Sequence, residues 1–593
     1  MSTEIILKEA MRQYGNGNLD ESERLFREIL ENTPQNGDAL YFLGVIAMTR
    51  GVYAEALDFL YKATILYPDN KDYTYSLGVA LQETGHTEEA IRTYEKIADL
   101  PESQNNLGNL YRTLGELEKA ETAFDKALQL DPQMTWAMLN KALLKRAQNQ
   151  TETARFLLEH AVQTNPHFVE GWYQLGVQYR VEKNIEKSLE AFEHALKLNN
   201  AYPPLWTSYG MSLYAQGRLK EAVDAYDHAI ALDRFAYDAY FNKGLALEHL
   251  NRLQEAEEAY RSAVRGDRHF IQAYNNLGSL LYKMGRLNEA LETYRQVFLI
   301  DPHNPEANFN LAVILEDIEE FEEAAGLYFH VLSMKKYEEA IHLRLAALLP
   351  KWSLTEKEKA LTYAEGWLKN FHDNPLARHT LNALKGIIDE DALFSYTQTY
   401  YNAFAESYNE KMKELDCQVP QAIAERLPKQ RFNRALDLGC GTGALGPFLS
   451  KHSETLIGVD MAQKMAQLAE KKGCYQKIIV SDVLDYLSRN KQPFDLIVAA
   501  DVLCYMSDLI PLFSAVHQNL TPKGSFIFTV EKSNRKEGFE INPFGRFLHT
   551  EAYLRHVLKN AGLDIQTIEE IDLRKEGSGT ARGLIVTAAL SVP

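Results

Sequence analysis

The fold of the last third of the chain is decided by the stretch Arg434-Ala-Leu-Asp-Leu-Gly-Cys-Gly-Thr-Gly-Ala-Leu-Gly446. Its apolar start predicts a buried strand that carries Asp437 near its end and runs into a glycine loop and a helix. Gly439, Gly441 and Gly443 allow a tight turn, and they let a ligand approach the backbone without meeting a Cβ. The same glycine spacing also fits the loop that binds dinucleotides, so two classes of cofactor remain open at this point.

Strands and helices alternate after this stretch, which predicts an α/β doubly wound sheet. An acid stands at or next to the end of several predicted strands. The predicted elements are the strands Thr455–Asp460, Lys477–Asp482, Phe494–Asp501 and Ser525–Glu531, the helix Glu551–Ala561, and a final strand pair Asp564–Leu573 and Gly583–Leu590 joined by a turn over Lys575–Ala581.

This order of elements resembles the class I S-adenosylmethionine-dependent methyltransferases over residues 396–593. The resemblance implies a Rossmann-like, seven-stranded domain with S-adenosylmethionine as cofactor. Asp437 and the glycines would hold the methionine part, Asp460 the ribose hydroxyls, and Asp482 the adenine amino group. A nicotinamide cofactor would leave Asp437 without a role and would place a pyrophosphate at the helix N-terminus. The cofactor-binding residues implied are Asp437, Gly439, Gly441, Gly443, Asp460, Met461, Asp482, Val483, Ala500, Tyr401 and Tyr408.

An aromatic segment precedes the first strand, Tyr400-Tyr-Asn-Ala-Phe-Ala-Glu-Ser-Tyr-Asn409. It resembles the helix that covers the cofactor in many such enzymes, with Tyr401, Phe404 and Tyr408 as candidates. The alternative is a stripe of aromatic residues that packs against another helix.

Methyl transfer needs a base only when the acceptor is a protonated amine or a hydroxyl. Asp501, Tyr505, Glu531 and His549 are candidates, because each lies beyond the carboxyl end of a predicted strand. Glu531 and His549 are preferred as catalytic residues, since both follow the fifth strand. The alternative for His549 is a surface loop. No cysteine pair has metal-ligand spacing, so we expect no metal site.

The front two-thirds of the chain is a repeat. A small residue recurs at Gly44, Gly78, Gly108, Ala142, Gly176, Gly210, Gly244, Gly278 and Ala312, and every interval from Ala142 to Ala312 is 34 residues. An alanine usually follows twelve residues later, and an aromatic residue four after that. Small residues at fixed points let paired helices approach closely. The pattern resembles the tetratricopeptide repeat family over roughly ten units, and such solenoids usually bind peptides or proteins.

A row of amides stands two residues before the small residue of several units. Its asparagines are Asn106, Asn140, Asn242, Asn276 and Asn310, with Gln174 and Ser208 between them. An amide donates and accepts hydrogen bonds, so such a row can hold the backbone of an extended peptide. It resembles the asparagine ladder of O-linked N-acetylglucosamine transferase. The alternative is a set of solvated polar residues.

Composition narrows the class of protein further. The 593 residues carry a formal net charge of −19, which argues against nucleic acid as the main partner. The four cysteines are scattered, there is no apolar run long enough to cross a membrane, and no signal peptide is visible, so we expect a cytoplasmic protein.

These patterns predict repeats over 3–338, degenerate capping helices and a linker over 339–390, and a methyltransferase domain over 391–593. We expect an enzyme whose repeats recruit a protein or peptide acceptor or partner. The alternatives are a methyltransferase for a small metabolite with repeats used for assembly, and a peptide-binding scaffold with an inactive cofactor domain.

Overall fold

The computed structural model describes residues 3–576 and 579–591. The chain divides into two compact units, Met1–Leu280 and Leu281–Pro593. The second unit contains the last repeat helices, the helices after them and the whole sheet. The division falls within the repeat helices.

Paired helices build the repeat region. They are α1 Thr3–Gly15, α2 Leu19–Asn32, α3 Gly37–Thr49, α4 Tyr53–Leu66, α5 Lys71–Glu83, α6 Thr87–Glu95, α7 Pro101–Thr113, α8 Leu117–Leu130, α9 Thr135–Ala147, α10 Thr151–Thr164, α11 Val169–Val181, α12 Ile185–Leu198, α13 Pro203–Ala215, α14 Leu219–Leu232, α15 Tyr237–His249, α16 Leu253–Gly266, α17 Ile271–Lys283, α18 Leu287–Ile300, α19 Pro305–Asp317 and α20 Phe321–Ser333. The short spacing between Gly78 and Gly108 is explained by α6, which is only nine residues long.

The small residue of a unit lies directly under the aromatic residue sixteen positions later. A Cβ added at Gly78 would come within 2.5 Å of the Tyr94 ring, and one at Gly244 within 2.5 Å of the Tyr260 ring. Both tyrosines are completely buried. The predicted close approach of paired helices is confirmed, and the aromatic ring fills the space above the missing Cβ.

The turn inside each helix pair has its own pattern, seven residues after the small residue. The backbone there is left-handed at Gly51, Gly85, Gly115, Asn149, Lys183, Gly217, Asn251, Gly285 and Glu319. Glycine and asparagine adopt this conformation readily, whereas lysine and glutamate do so under strain. Lys183 and Glu319 keep the left-handed turn although their residue types disfavour it. The place in the repeat, rather than the residue type, therefore determines this backbone conformation.

Five helices lie between the repeats and the sheet: α21 Glu338–Ser353, α22 Lys357–Asn370, α23 Pro375–Lys385, α24 Glu390–Glu414 and α25 Val419–Glu425. The expected capping pair corresponds to α21 and α22, and Trp367 is fully buried there, with Nε1 donating to His342 Nδ1 at 3.0 Å. Asp389 caps α24 by accepting a hydrogen bond from the Ala392 N–H.

The sheet contains nine strands within the described residues, in the order β3-β2-β1-β4-β5-β7-β6, with β9 pairing both β5 and β8. The strands are β1 Phe432–Leu438, β2 Ser453–Asp460, β3 Lys477–Val480, β4 Phe494–Ala499, β5 Leu520–Lys532, β6 Phe539–Ile541, β7 Phe547–His549, β8 Leu563–Glu576 and β9 Gly579–Leu590. The helices between them are α26 Gly446–His452, α27 Gln463–Lys471, α28 Val483–Arg489, α29 Ile510–Asn519 and α30 Glu551–Asn560.

The first five strands are parallel, and β9 is antiparallel to both β5 and β8. The predicted α/β fold is thus confirmed, with one addition. The hairpin of β6 and β7 extends the sheet beyond the expected seven strands. The predicted closing pair is longer than expected, and part of its turn, at 577–578, lies outside the described residues. No helix in the described ranges is both long and apolar enough to cross a membrane.

Candidate active site

A cavity of about 460 Å³ opens where the parallel strands β1 to β4 end. Parallel strands that end at one edge of a sheet commonly form ligand sites there. Nine residues predicted to bind a cofactor line it. They are Tyr401, Tyr408, Gly439, Gly441, Asp460, Met461, Asp482, Val483 and Ala500. Asp437 and Gly443 lie outside the lining.

All three glycines of the loop after β1 have left-handed backbone conformations, with φ of +65°, +55° and +77° at Gly439, Gly441 and Gly443. Their surroundings differ. A Cβ at Gly439 would overlap the Val502 side chain at 1.8 Å, whereas a Cβ at Gly441 would have no neighbour within 4 Å. Gly439 is therefore required for packing within the domain, and Gly441 exposes its backbone to the cavity.

Asp460 joins this loop to the end of β2. Its Oδ2 accepts a hydrogen bond from the Gly441 N–H at 2.8 Å, and its Oδ1 accepts one from the Ala462 N–H at 2.8 Å. Burial raises the pKa of Asp460, and the two backbone bonds oppose that rise. A carboxylate has about four acceptor sites, so capacity remains for a ligand hydroxyl in the cavity.

Asp482 has a structural role as well as a place in the cavity lining. Its Oδ1 caps α28 by accepting hydrogen bonds from the N–H groups of Leu484 at 2.8 Å and Asp485 at 3.1 Å. Oδ2 takes no part in these bonds. The helix cap and a ligand contact are therefore compatible, because they use different oxygens.

Asp437 is almost completely buried below the loop, with 1% of its surface exposed. Tyr475 donates to its Oδ2 at 2.7 Å, while Oδ1 has no hydrogen-bond partner among the described residues. Desolvation raises the pKa of Asp437 to about 7, although the Tyr475 hydrogen bond lowers it. An unpaired buried carboxylate oxygen beside a glycine loop fits a ligand that carries positive charge.

Helix α24 covers one side of the cavity and is fastened to the sheet domain at both ends of its aromatic segment. Thr442 donates to Asn409 Oδ1 at 2.6 Å, and the Lys464 N–H donates to Asn402 Oδ1 at 2.9 Å. Next to Asn402, the hydroxyls of Tyr401 and Tyr505 are hydrogen-bonded at 2.6 Å. The aromatic residues Tyr401 and Tyr408 of α24 pack against each other and also line the cavity. The contacts of Asn402 and Asn409 were not indicated by any pattern in the sequence.

Asp501 lies at the cavity wall after β4, with a left-handed φ of +53°. The buried Arg574 holds it, because Nη1 lies 3.1 Å from Oδ1 and 3.0 Å from Oδ2. Arg574 Nη2 also donates to Glu531, which in turn lies beside Arg546. Asp501, Cys504 and Glu531 are close enough to hold a metal ion, but the Arg574 guanidinium already bridges the two carboxylates.

Glu531 and His549, the preferred candidates for a base, do not line the cavity. Glu531 is 4% exposed and paired with arginines, although burial raises its pKa. His549 is fully buried rather than in a surface loop, stacks on Tyr553, and has its Nε2 3.3 Å from the Ser507 carbonyl. Desolvation lowers the pKa of His549 to about 4. Asp501 and Tyr505 line the cavity instead.

The asparagine row of the repeats uses part of its hydrogen-bonding capacity within the fold. Asn106 donates to the hydroxyls of Tyr75 and Tyr94, Asn140 to Asn105, and Asn242 to the Asp238 carbonyl, while Asn276 bonds Tyr260 and Asn310 bonds Tyr294. Asn140 is buried and the other four are half-buried. An amide carries two N–H donors and a carbonyl oxygen, and Asn106 already uses both of its donors within the fold.

Comparison with known families agrees with this architecture. A family model described as a methyltransferase domain matches residues 436–528. Models described as tetratricopeptide or TPR repeats match residues 7–71, 72–104, 101–134, 169–202, 210–269 and 278–318. The chain therefore carries tetratricopeptide repeats followed by a methyltransferase domain.

Among curated proteins, the chain is similar to the putative methyltransferase YqeM of Bacillus subtilis (strain 168), at 29% identity over 22% of this chain and 56% of that protein. It is also 28% identical to the human mitochondrial arginine-hydroxylase NDUFAF5, over 28% of this chain and 52% of that protein. The chain thus spans about half the length of both proteins. A solved structure of a DhpI–SAH complex is 17% identical, with a TM-score of 0.26, over 33% of this chain and 96% of that chain.

Proposed function

We propose that this protein is an S-adenosylmethionine-dependent methyltransferase whose repeats bind a protein or peptide that is the acceptor or carries it. One observation supports this most directly. Gly441 and the strand-end carboxylates Asp460 and Asp482 line one cavity in the domain that the methyltransferase family model matches. In this proposal the repeats extend over 3–338 and the catalytic domain over 391–593, with capping helices and a linker over 339–390.

The cofactor would supply an electrophilic methyl group on a positively charged sulfur. Asp460 would bind the two ribose hydroxyls, and Asp482 would accept from the adenine amino group through the oxygen that does not cap α28. Met461 and Val483 would pack on the adenine. The unpaired oxygen of Asp437 would compensate the positive charge near the loop.

The remaining task of the chain is to orient the acceptor and exclude water. Tyr401 and Tyr408 on α24 close the side of the cavity opposite the sheet, and the Tyr401–Tyr505 hydrogen bond holds the helix there. A base, where one is needed, would be Asp501 or Tyr505 by position. Glu531 and His549 remain candidates only if the acceptor reaches behind the cavity wall.

A test of the proposed function has to measure methyl transfer itself, because similar proteins are named for different reactions. YqeM is named as a putative methyltransferase and NDUFAF5 as an arginine-hydroxylase, so proteins similar to this domain differ in the reaction they are named for. Transfer of a labelled methyl group is therefore the decisive measurement, and binding of the cofactor alone is not sufficient.

The cofactor assignment is tested by calorimetric titration of the full chain with S-adenosylhomocysteine. We expect Gly441→Val to abolish binding, because its side chain would enter the cavity, and Asp460→Ala to weaken binding at least tenfold. Asp564→Asn, an exposed carboxylate of β8 outside the cavity, is the matched control. Unchanged affinity in Gly441→Val would refute the assignment.

The role of the repeats is tested with methyl-labelled cofactor and cell lysate, separated by size after the reaction. We expect label in macromolecules that is lost when Asn242, Asn276 and Asn310 are all changed to alanine. The exposed residues Asn32, Asn288 and Asn370 provide a control with the same number of substitutions outside the row. Label confined to small molecules, and equal in both variants, would favour the metabolite alternative.

A further inference from the structure

The charged side chains that line the cavity all carry the same sign. Five carboxylates line it, and none of its described lining residues is lysine, arginine or histidine. They are Glu390, Asp460, Asp482, Asp501 and Asp508. Asp460 and Asp482 belong to the part of the cavity assigned above to the cofactor, so three carboxylates remain for the acceptor.

These three carboxylates differ in their partners. Asp501 is neutralised by Arg574, which is held behind the cavity wall. Glu390 at the start of α24 is exposed, and its Oε1 accepts a hydrogen bond from Ser507 at 2.9 Å. Asp508 is also exposed, and its Oδ1 accepts from the Tyr553 hydroxyl at 3.0 Å. Within the described residues neither Glu390 nor Asp508 has a basic partner, so both charges remain uncompensated.

Apolar and aromatic side chains line the cavity together with the two exposed carboxylates. Leu393, Phe394, Met506, Pro511 and Leu512 line the cavity together with the rings of Tyr401 and Tyr505. Phe394 is 47% exposed, although it is a large apolar residue beside Glu390 in this part of the lining. Such walls fit an aliphatic arm, and tyrosine rings attract a cationic group.

We infer that the methyl acceptor is a basic nitrogen, an amine or a guanidinium, at the end of an aliphatic arm; this rests on the proposed function. Uncompensated carboxylates raise the local concentration of cations and repel anions. An acceptor carboxylate would face like charges in a cavity where desolvation strengthens the repulsion. The side chains of lysine and arginine and a free alkylamine share this chemistry.

The transfer is balanced with one proton released. The lone pair of the nitrogen forms the new C–N bond, the C–S bond of the donor breaks, and its electron pair stays on sulfur. A cationic acceptor loses one proton before the transfer, because a protonated nitrogen has no lone pair with which to form the new bond. The base proposed above by position, Asp501 or Tyr505, would take this proton and release it to solvent.

The stability of the transferred label toward alkali tests this inference on the full-length protein. Methyl esters release their label as volatile methanol in mild alkali, whereas N-methyl groups survive and appear as methylated lysine, arginine or alkylamine after hydrolysis. Binding of n-hexylamine, n-hexylguanidine and hexanoate is measured by calorimetry with the protein saturated in S-adenosylhomocysteine. The double variant Glu390→Gln, Asp508→Asn is compared with Glu537→Gln, Asp564→Asn, which removes two exposed carboxylates outside the cavity.

We expect alkali-stable N-methyl label, and binding of at least one of the two cationic probes that falls tenfold or more in the cavity variant only. Which of them binds distinguishes an amine from a guanidinium acceptor. Release of the label as methanol, or hexanoate binding as well as the cationic probes, would overturn the inference. Failure to bind S-adenosylhomocysteine would refute the proposed function itself, which this design separates from failure of the inference alone.

Discussion

At the scale of single residues, the candidate site depends on carboxylates whose neighbours give them different tasks. Asp460 and Asp482 use part of their oxygens for the loop and for a helix cap. Asp501 is held by Arg574. Asp437 alone keeps an oxygen that is buried and unpaired. This buried and unpaired oxygen belongs to the residue one position before the end of β1, so an uncompensated charge lies next to the glycine loop.

Asp437→Asn is expected to remove a pH dependence of the ligand-free protein. Because the pKa of Asp437 is raised to about 7 from an unfolded value of 3.8, the native state holds the proton longer, so stability falls as pH rises from about 4 to about 7. The full shift corresponds to at most about 4 kcal/mol. Urea unfolding of wild type and variant at pH 5 and 8 measures the difference. An equal change with pH in both proteins would contradict this account.

Glu531→Gln distinguishes a structural carboxylate from a catalytic base. The substitution leaves Arg574 and Arg546 without a buried counter-charge, so we expect a loss of stability of about 3 kcal/mol. Thermal unfolding and methyl transfer are measured on the same preparation. An unchanged unfolding midpoint together with lost transfer would instead support Glu531 as the base.

At the scale of elements, the repeats show how one local geometry is kept with different residues. The left-handed turn of the helix pair is formed by glycine at Gly217 but by lysine at Lys183. A Cβ at Gly217 has no neighbour within 4 Å, so the cost of a side chain there is purely conformational. The turns at Lys183 and Gly217 therefore form a matched pair within the compact unit Met1–Leu280.

Lys183→Gly should stabilise the protein by about 0.5–1 kcal/mol, because relief of left-handed strain exceeds the entropy cost of glycine. Gly217→Ala should destabilise it by about 1 kcal/mol for the opposite reason. Urea unfolding followed by circular dichroism measures both variants. A shift of the same sign in the two would show that side-chain contacts, rather than backbone conformation, control the turn.

At the scale of the whole molecule, the helices after the repeats belong to the same compact unit as the sheet. His379 on α23 contacts the sheet domain directly. Its Nε2 lies 3.2 Å from the Gly545 carbonyl in the β6–β7 hairpin, and a Cβ at Gly545 would come within 2.1 Å of the ring. The additional hairpin of the sheet therefore contacts the capping region.

Acidification should loosen this contact. Desolvation lowers the pKa of His379 to about 4, below the unfolded value of about 6.5, so its stabilisation is present above pH 6.5 and is lost as pH falls toward 4. At pH 5 the loss is about 2 kcal/mol. The test compares unfolding of the wild type and His379→Gln between pH 7 and 5. A variant that loses as much stability as wild type would exclude His379 as the cause.

The sequence by itself determined the repeat helices, the parallel sheet and the residues around the glycine loop. These features follow from local spacing, because a fixed interval places small and aromatic residues on facing helices, and the ends of parallel strands meet at one edge. It did not indicate the β6–β7 hairpin, whose three-residue strands are too short to show a pattern.

Only the tertiary structure decided which polar groups are paired. Tyr475 lies 38 residues from Asp437, Arg574 is 73 from Asp501, and Tyr505 is 104 from Tyr401. No local rule connects residues so far apart, since burial and approach depend on how complete elements pack. For that reason the two residues preferred as bases from the sequence lie elsewhere, His549 in the core and Glu531 in an arginine network.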